Sequence, residues 1–138
     1  MVGRHTSSVA LAAALWLLQG CSSDPGRYPG TDILDIPGFE IHRATELEQS
    51  GNTLQSGTLE YRGEGNLREI FRNYLHSMES LGWMTTHATY NGQTASATLR
   101  KDKRFAKLHF LNGKKGITAS IHVGATPTGE SDALQEAK

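Results

Sequence analysis

One cysteine, no net charge and no long apolar run are what this chain of 138 residues offers a first reading. The lone cysteine, Cys21, has no partner for an intrachain disulfide. Lys plus Arg and Asp plus Glu number 14 each, so bulk electrostatics give no reason to expect nucleic acid as a partner. The longest apolar run, Val9 to Leu18, is well short of the ~20 residues a permanent membrane-spanning helix requires, and none after it is longer.

What is present begins with that run. Arg4 and His5 precede it and small residues close it, which is the layout of a secretory signal. No A-x-A-like site stands immediately before Gly20 or Cys21, so ordinary cleavage there is not indicated. Leu18-Gln19-Gly20-Cys21 instead resembles the lipobox of bacterial lipoproteins, although Gln19 stands where that family usually carries Ala, Ser or Thr. The resemblance implies removal of residues 1–20, a diacylglycerol on the Cys21 sulfur and an acylated new amino terminus. Each buried CH₂ of such chains adds roughly 0.8 kcal/mol of membrane affinity, so several chains anchor a domain almost permanently. Ser22, rather than Asp, follows the cysteine, and in lipoproteins this implies the outer membrane, facing the periplasm, more than the inner.

Residues 21–32, rich in Ser, Asp, Pro and Gly, read as the lipidated cysteine and a flexible tether, residues 33–125 as one globular domain, and residues 126–138 as a disordered tail. The expected fold class is α+β: a twisted antiparallel sheet in the order ββαββββ, with one helix packed on one face. Phe39, Ile41 and Arg43 alternate with Glu40 and His42 as a half-buried strand. After a turn at Ser50-Gly51-Asn52, Leu54 to Arg62 forms a second strand with Leu59 and Tyr61 inward. The period then changes. Leu67, Ile70, Phe71, Tyr74, Leu75, Met78 and Leu81 make one helical stripe, opened by Asn66 with Glu69 three residues on, and closed by Gly82.

Two Asn-Gly dipeptides follow, each flanked by alternating residues, the strongest short-range hairpin signal. A tight turn at Asn91-Gly92 pairs Met84 with Leu99, Thr86 with Ala97 and Ala88 with Ala95. One at Asn112-Gly113 pairs Leu108 with Ile117 and Ala106 with Ala119. A turn at Asp102-Lys103 pairs Ala97 with Leu108 and Leu99 with Ala106. The opposite, wet face then carries Thr85, His87, Ser96, Thr98, Lys107, His109, Thr118, Ser120 and His122. Tyr61, Gly63, Phe71, Met78 and Gly82-Trp83 give the domain a resemblance to a set of small, uncharacterised bacterial envelope lipoproteins, which implies a compact envelope domain and no particular chemistry.

Candidate chemistry is sparse. Gly63-Glu64-Gly65 lacks the third glycine of a phosphate-binding turn, Arg68 standing in its place. The expected register sets His87, Ser96 and His109 side by side on three strands. At ~4.8 Å per strand the two histidine backbones are then too far apart for zinc ligation, and no acid lies beside them to complete a hydrolytic triad. Glu46 and Glu48 share one strand instead of facing across a cleft. Trp83 and Phe105 flank Arg100 as a cation–π cluster or a sugar platform.

The charge, neutral in sum, is unevenly placed. Arg100, Lys101, Lys103, Arg104, Lys107, Lys114 and Lys115 stand against only Asp102. The candidate interaction surface is therefore Arg100, Lys101, Lys103, Arg104, Lys107 and His109. The function expected is a lipid-anchored, non-enzymatic binding or scaffold module of the envelope. It needs no cofactor or metal, and its partner is an envelope protein or anionic envelope polymer. A small-ligand or cell-wall-binding module using a groove between helix and sheet is the alternative.

Overall fold

The computed structural model describes residues 26–127 together with residue 3, so Cys21, the leader and most of the expected tail lie outside the described residues. The elements run β1 (Glu40–Ser50), β2 (Thr53–Gly63), α1 (Leu67–Ser80), β3 (Met84–Tyr90), β4 (Thr94–Lys101), β5 (Arg104–Gly113) and β6 (Gly116–Ala125). They build a six-stranded antiparallel sheet in the order β1-β2-β6-β5-β4-β3, with one helix. The helical connection carries the chain from β2 across to the far edge, and β3 to β6 return strand by strand until β6 pairs with β2.

The inner face of β4, β5 and β6 reads Ala95, Ala97, Leu99, Ala106, Leu108, Phe110, Ala119, Ile121 and Val123, all buried. Small residues on β4 let α1 approach closely. Phe71 and Tyr74 meet Phe110 edge-on, with ring centroids 5.5 and 6.2 Å apart. Leu67, Phe71, Tyr74 and Met78 are the buried stripe of the helix. Its start is fixed by Asn66, whose Oδ1 accepts the Glu69 N–H at 3.1 Å. Gly82, at φ 95°, releases the chain into Trp83.

A second cover lies over the inner face. Residues 26–32 are not a free tether but the first arm of a folded segment. Asp35 N–H donates to Gly26 O at 2.8 Å, Tyr28 N–H to Ile33 O at 3.0 Å, and Thr31 Oγ1 to Tyr28 O at 2.7 Å. This places Thr31, Ile33, Leu34 and Ile36 in the core beside Leu54, Leu59 and Tyr61 of β2. Tyr74 Oη ties the two covers together by donating to Leu34 O at 2.8 Å.

Three expected details are corrected. First, β1 is not half-buried: it is exposed almost throughout, with Ile41 45% exposed and only Leu47 partly covered. It is an edge strand broken by register shifts, including one beside Glu46 at φ 53°, so its alternation is not held against the core. Second, the β3–β4 connection uses Asn91-Gly92-Gln93, because the Asn91 side chain accepts the N–H groups of Gln93 and Thr94 at 3.0 and 2.8 Å. Ala88 therefore pairs with Ala97, not Ala95. A bulge at Thr86 then reverses the facing: Thr85 turns inward opposite Leu99, and Met84 outward opposite Arg100, 62% exposed. Third, β5 turns into β6 through Lys114-Lys115, between paired Gly113 and Gly116, so Leu108 faces Ile121 and Ala106 faces Val123. The displacement from the expected partners is an even number of residues, which leaves the inner face unchanged. The Asp102-Lys103 turn pairs Ala97 with Leu108 and Leu99 with Ala106, as read from the sequence.

Candidate functional site

The basic run divides between two sides of the sheet. Arg104 is only 6% exposed and leaves the candidate surface altogether. Its guanidinium donates to Asp32 through both terminal nitrogens, at 2.7 and 3.1 Å, and to Leu54 O at 2.8 Å. Asp32 Oδ1 also accepts the Leu54 N–H at 3.2 Å. Burial alone would raise the Asp32 pKa, but the hydrogen bonds from Arg104 and Leu54 and the neighbouring positive charge hold it below the ordinary carboxylate value. The Arg104 guanidinium lies 5.0 Å from the ring centroid of buried Trp83. The cation on the indole is thus Arg104 and not Arg100, and the stack is part of the core, closed to a sugar ring. Lys101 points to the helix side too, where its Nζ donates to Leu81 O at 2.8 Å.

Arg100, Lys103, Lys107 and His109 remain exposed. Arg100 sits opposite Phe105 on the outer face, and Lys107 Nζ lies 5.3 Å over the Phe105 ring. The Phe105 ring in turn packs beside His122, with centroids 5.9 Å apart. His122 Nδ1 shares a hydrogen bond with Thr58 Oγ1 at 2.9 Å, and His109 Nδ1 with Ser96 Oγ at 3.0 Å. The outer face of β3 to β6 presents Met84, His87, Thr89, Ser96, Thr98, Arg100, Phe105, Lys107, His109, Thr118, Ser120 and His122, and no carboxylate among them.

The corrected registers change which residues are neighbours. Ser96 lies between Thr89 and His109, while His87 faces Thr98 in the row that runs on through Lys107 to His122. Thr85, expected on this face, instead donates to Glu79 Oε1 of the helix at 2.9 Å. The row of Ser96 and His109 continues through Ser120 to Glu60. One strand, β6, lies between Glu60 and His109, so their backbones are ~10 Å apart, and Glu60 pairs with Arg43 at 3.8 Å. Among the described residues the Ser96–His109 pair has no acid to orient it. Among the described residues no group of three His, Cys, Asp or Glu side chains could hold a metal ion. Gly63-Glu64-Gly65 is a tight turn from β2 into α1, where a Cβ on Gly65 would lie 2.7 Å from Ile70.

Sequence reasoning missed the second cover and the acids it carries. Besides Asp32, it brings Asp35, whose Oδ1 accepts the Tyr61 hydroxyl at 2.7 Å. Burial, then that hydrogen bond and the carboxylate charge, push the Tyr61 pKa far above the ordinary phenol value. A pocket of about 230 Å³ opens between α1 and this segment, lined by Leu34, Asp35, Pro37, Ile70, Asn73, Tyr74 and Ser77. The signal was the apolar trio Ile33, Leu34 and Ile36 directly after a polar stretch. Compared with known proteins, the chain matches no family model, no curated protein and no solved structure.

Proposed function

We propose that this chain is a lipoprotein of the bacterial envelope, anchored through lipid on Cys21, whose domain binds a partner instead of catalysing a reaction. The leader resemblance supports the anchor and the outer-membrane, periplasm-facing location. One observation carries the binding mode. Across four adjacent strands the uncovered sheet face presents Arg100, Lys107 and three histidines with no outward carboxylate. Such a surface attracts anions, and the partner we assign it is the acidic surface of another envelope protein, making this chain an accessory or scaffold subunit. Membrane anchoring raises the effective concentration, so weak, salt-screened contacts suffice.

The alternative of a ligand groove between helix and sheet has less support. Phe71 and Tyr74 close onto Phe110 across that interface. The pocket beside it, about 230 Å³, is below the ~300–1,000 Å³ of ordinary ligand sites.

The test is photo-cross-linking in cells from residues placed at Ser96 and Thr98. A protein adduct that weakens with salt and disappears in the double variant Arg100→Ser, Lys107→Ser is expected. An adduct indifferent to both, or adducts only with envelope polymer, would remove the scaffold reading. Cys21→Ser tests the anchor separately: that variant should leave the membrane fraction.

A further inference from the structure

The two aspartates of the folded amino-terminal segment have opposite circumstances. Asp32 is neutralised by Arg104, whereas Asp35, three residues later, forms no ion pair among the described residues. Its carboxylate is half-buried and has one side-chain partner, the Tyr61 hydroxyl on Oδ1. Oδ2 faces Gly26, where a Cβ would lie 3.3 Å from that oxygen.

Asp35 also forms part of the wall of a second cleft, about 430 Å³, completed by Tyr28, Pro29, Phe39, Ile41 and Tyr61. Three aromatic rings, an exposed isoleucine and an uncompensated carboxylate define a narrow class of ligand. Aromatic walls favour apolar groups and cations alike, and the carboxylate selects the cation and repels anions. A divalent metal is disfavoured, since one carboxylate with no second acidic or histidine ligand cannot furnish six or more oxygens. An ammonium can dock on Oδ2 alone, without the planar fit to both oxygens that a guanidinium favours.

We infer that the Asp35 cleft is a binding site for a primary alkylammonium group, with the ammonium at Asp35 and the methylene stem along Ile41 and Phe39. A free alkylamine and a lysine side chain share this chemistry. The site lies apart from the cationic sheet face, and depends neither on it nor on the anchor.

NMR titration of the full chain in a zwitterionic detergent tests the assignment, with pentylamine as the probe and pentanol as its uncharged counterpart. Pentylamine should give saturable shifts confined to Tyr28, Phe39, Ile41 and Tyr61, with affinity on the order of millimolar. Asp35→Asn keeps an acceptor for the Tyr61 hydroxyl but removes the charge, and should weaken binding roughly tenfold, as should Gly26→Val by covering Oδ2. Amide-blocked lysine binding as well as pentylamine identifies a polypeptide lysine as the source. Blocked lysine failing where pentylamine succeeds identifies a free amine. Equal binding of pentanol, no saturable shift, or an affinity unchanged in Asp35→Asn would overturn the proposal. Thermal melts of both variants establish that any loss is not unfolding.

Discussion

Arg104 and Asp32, 72 positions apart in sequence, form a two-pronged ion pair at 2.7 and 3.1 Å beneath the indole of Trp83. The pair fastens the amino-terminal segment to β5, and the third contact of Arg104, to Leu54 O, adds β2 to the same joint. Removing one member leaves a buried charge without compensation. Arg104→Ala should therefore cost about 3–5 kcal/mol in urea unfolding. Arg104→Lys should recover only part of it, since an ammonium cannot span both oxygens. A cost below about 1 kcal/mol, ordinary for a surface ion pair, would contradict the buried geometry.

The same pair sets an acid response. The folded-state pKa of Asp32 lies below its unfolded value, because Arg104 and the Leu54 N–H favour the carboxylate more than burial penalises it. The folded protein thus holds its proton less tightly than the unfolded chain. The stabilisation is complete above the unfolded pKa, ~3.9, and declines as pH falls from there through the folded value. Urea midpoints measured between neutral pH and about pH 2 should fall across that window in the native chain. In Asp32→Asn the stability is lower throughout, but the acid slope should be shallower. An unchanged slope would mean that another carboxylate carries it.

How much of this was legible follows the range of each interaction. The helix was readable because its stripe, Asn66 cap and Gly82 stop are all local. The Asp102-Lys103 turn was readable because two residues fix that register. Asn91-Gly92 misled because the Asn91 side chain captured the Gln93 and Thr94 N–H groups, a choice the dipeptide does not reveal. Arg104 looked like its neighbours in a basic run. Only the folded segment, bringing Asp32 from across the chain, makes it a core residue. Of the candidate surface, Arg100, Lys103, Lys107 and His109 are exposed, whereas Lys101 caps the helix end and Arg104 is buried.

At the alkaline end, Tyr61 and Tyr74 should resist ionisation. Burial is the chief cause for both, and the Asp35 charge adds to it. With folded-state pKa values above the unfolded ones, their contribution is complete below pH ~10 and is lost as pH rises beyond it. In a spectrophotometric titration their phenolate signal should appear together with the loss of sheet circular dichroism. Ionisation of all four tyrosines in a still-folded chain would refute this burial.

Core packing gives a contrast on the inner face. Phe110 is fully buried against Phe71 and Tyr74. Phe110→Ala should cost about 3–5 kcal/mol. Ile41, half-exposed on the edge strand, should tolerate Ser within about 0.5 kcal/mol. If Ile41→Ser instead destabilised like a core change, β1 would be half-buried after all.

The last hairpin can be tested through its glycines. In the observed register Gly116 has φ 114°, and a Cβ there would lie 2.7 Å from the Gly63 carbonyl oxygen, which is backbone and cannot move aside. Gly116→Ala should combine strain of ~1–2 kcal/mol from the positive φ with the cost of displacing β6 from β2. Gly92 offers a control for the first term alone, having φ 96° and open space where a Cβ would go. Gly113 has no positive φ, and its nearest Cβ contact is an ordinary 3.6 Å, so Gly113→Ala should be nearly neutral. A turn at Asn112-Gly113 would require the reverse order, because Gly113 would then occupy the left-handed position that type I′ geometry demands. Melting temperatures ranked Gly113→Ala above Gly92→Ala above Gly116→Ala are expected for the Lys114-Lys115 turn. Gly113→Ala as the most damaging of the three would shift β6 back by four residues against β5.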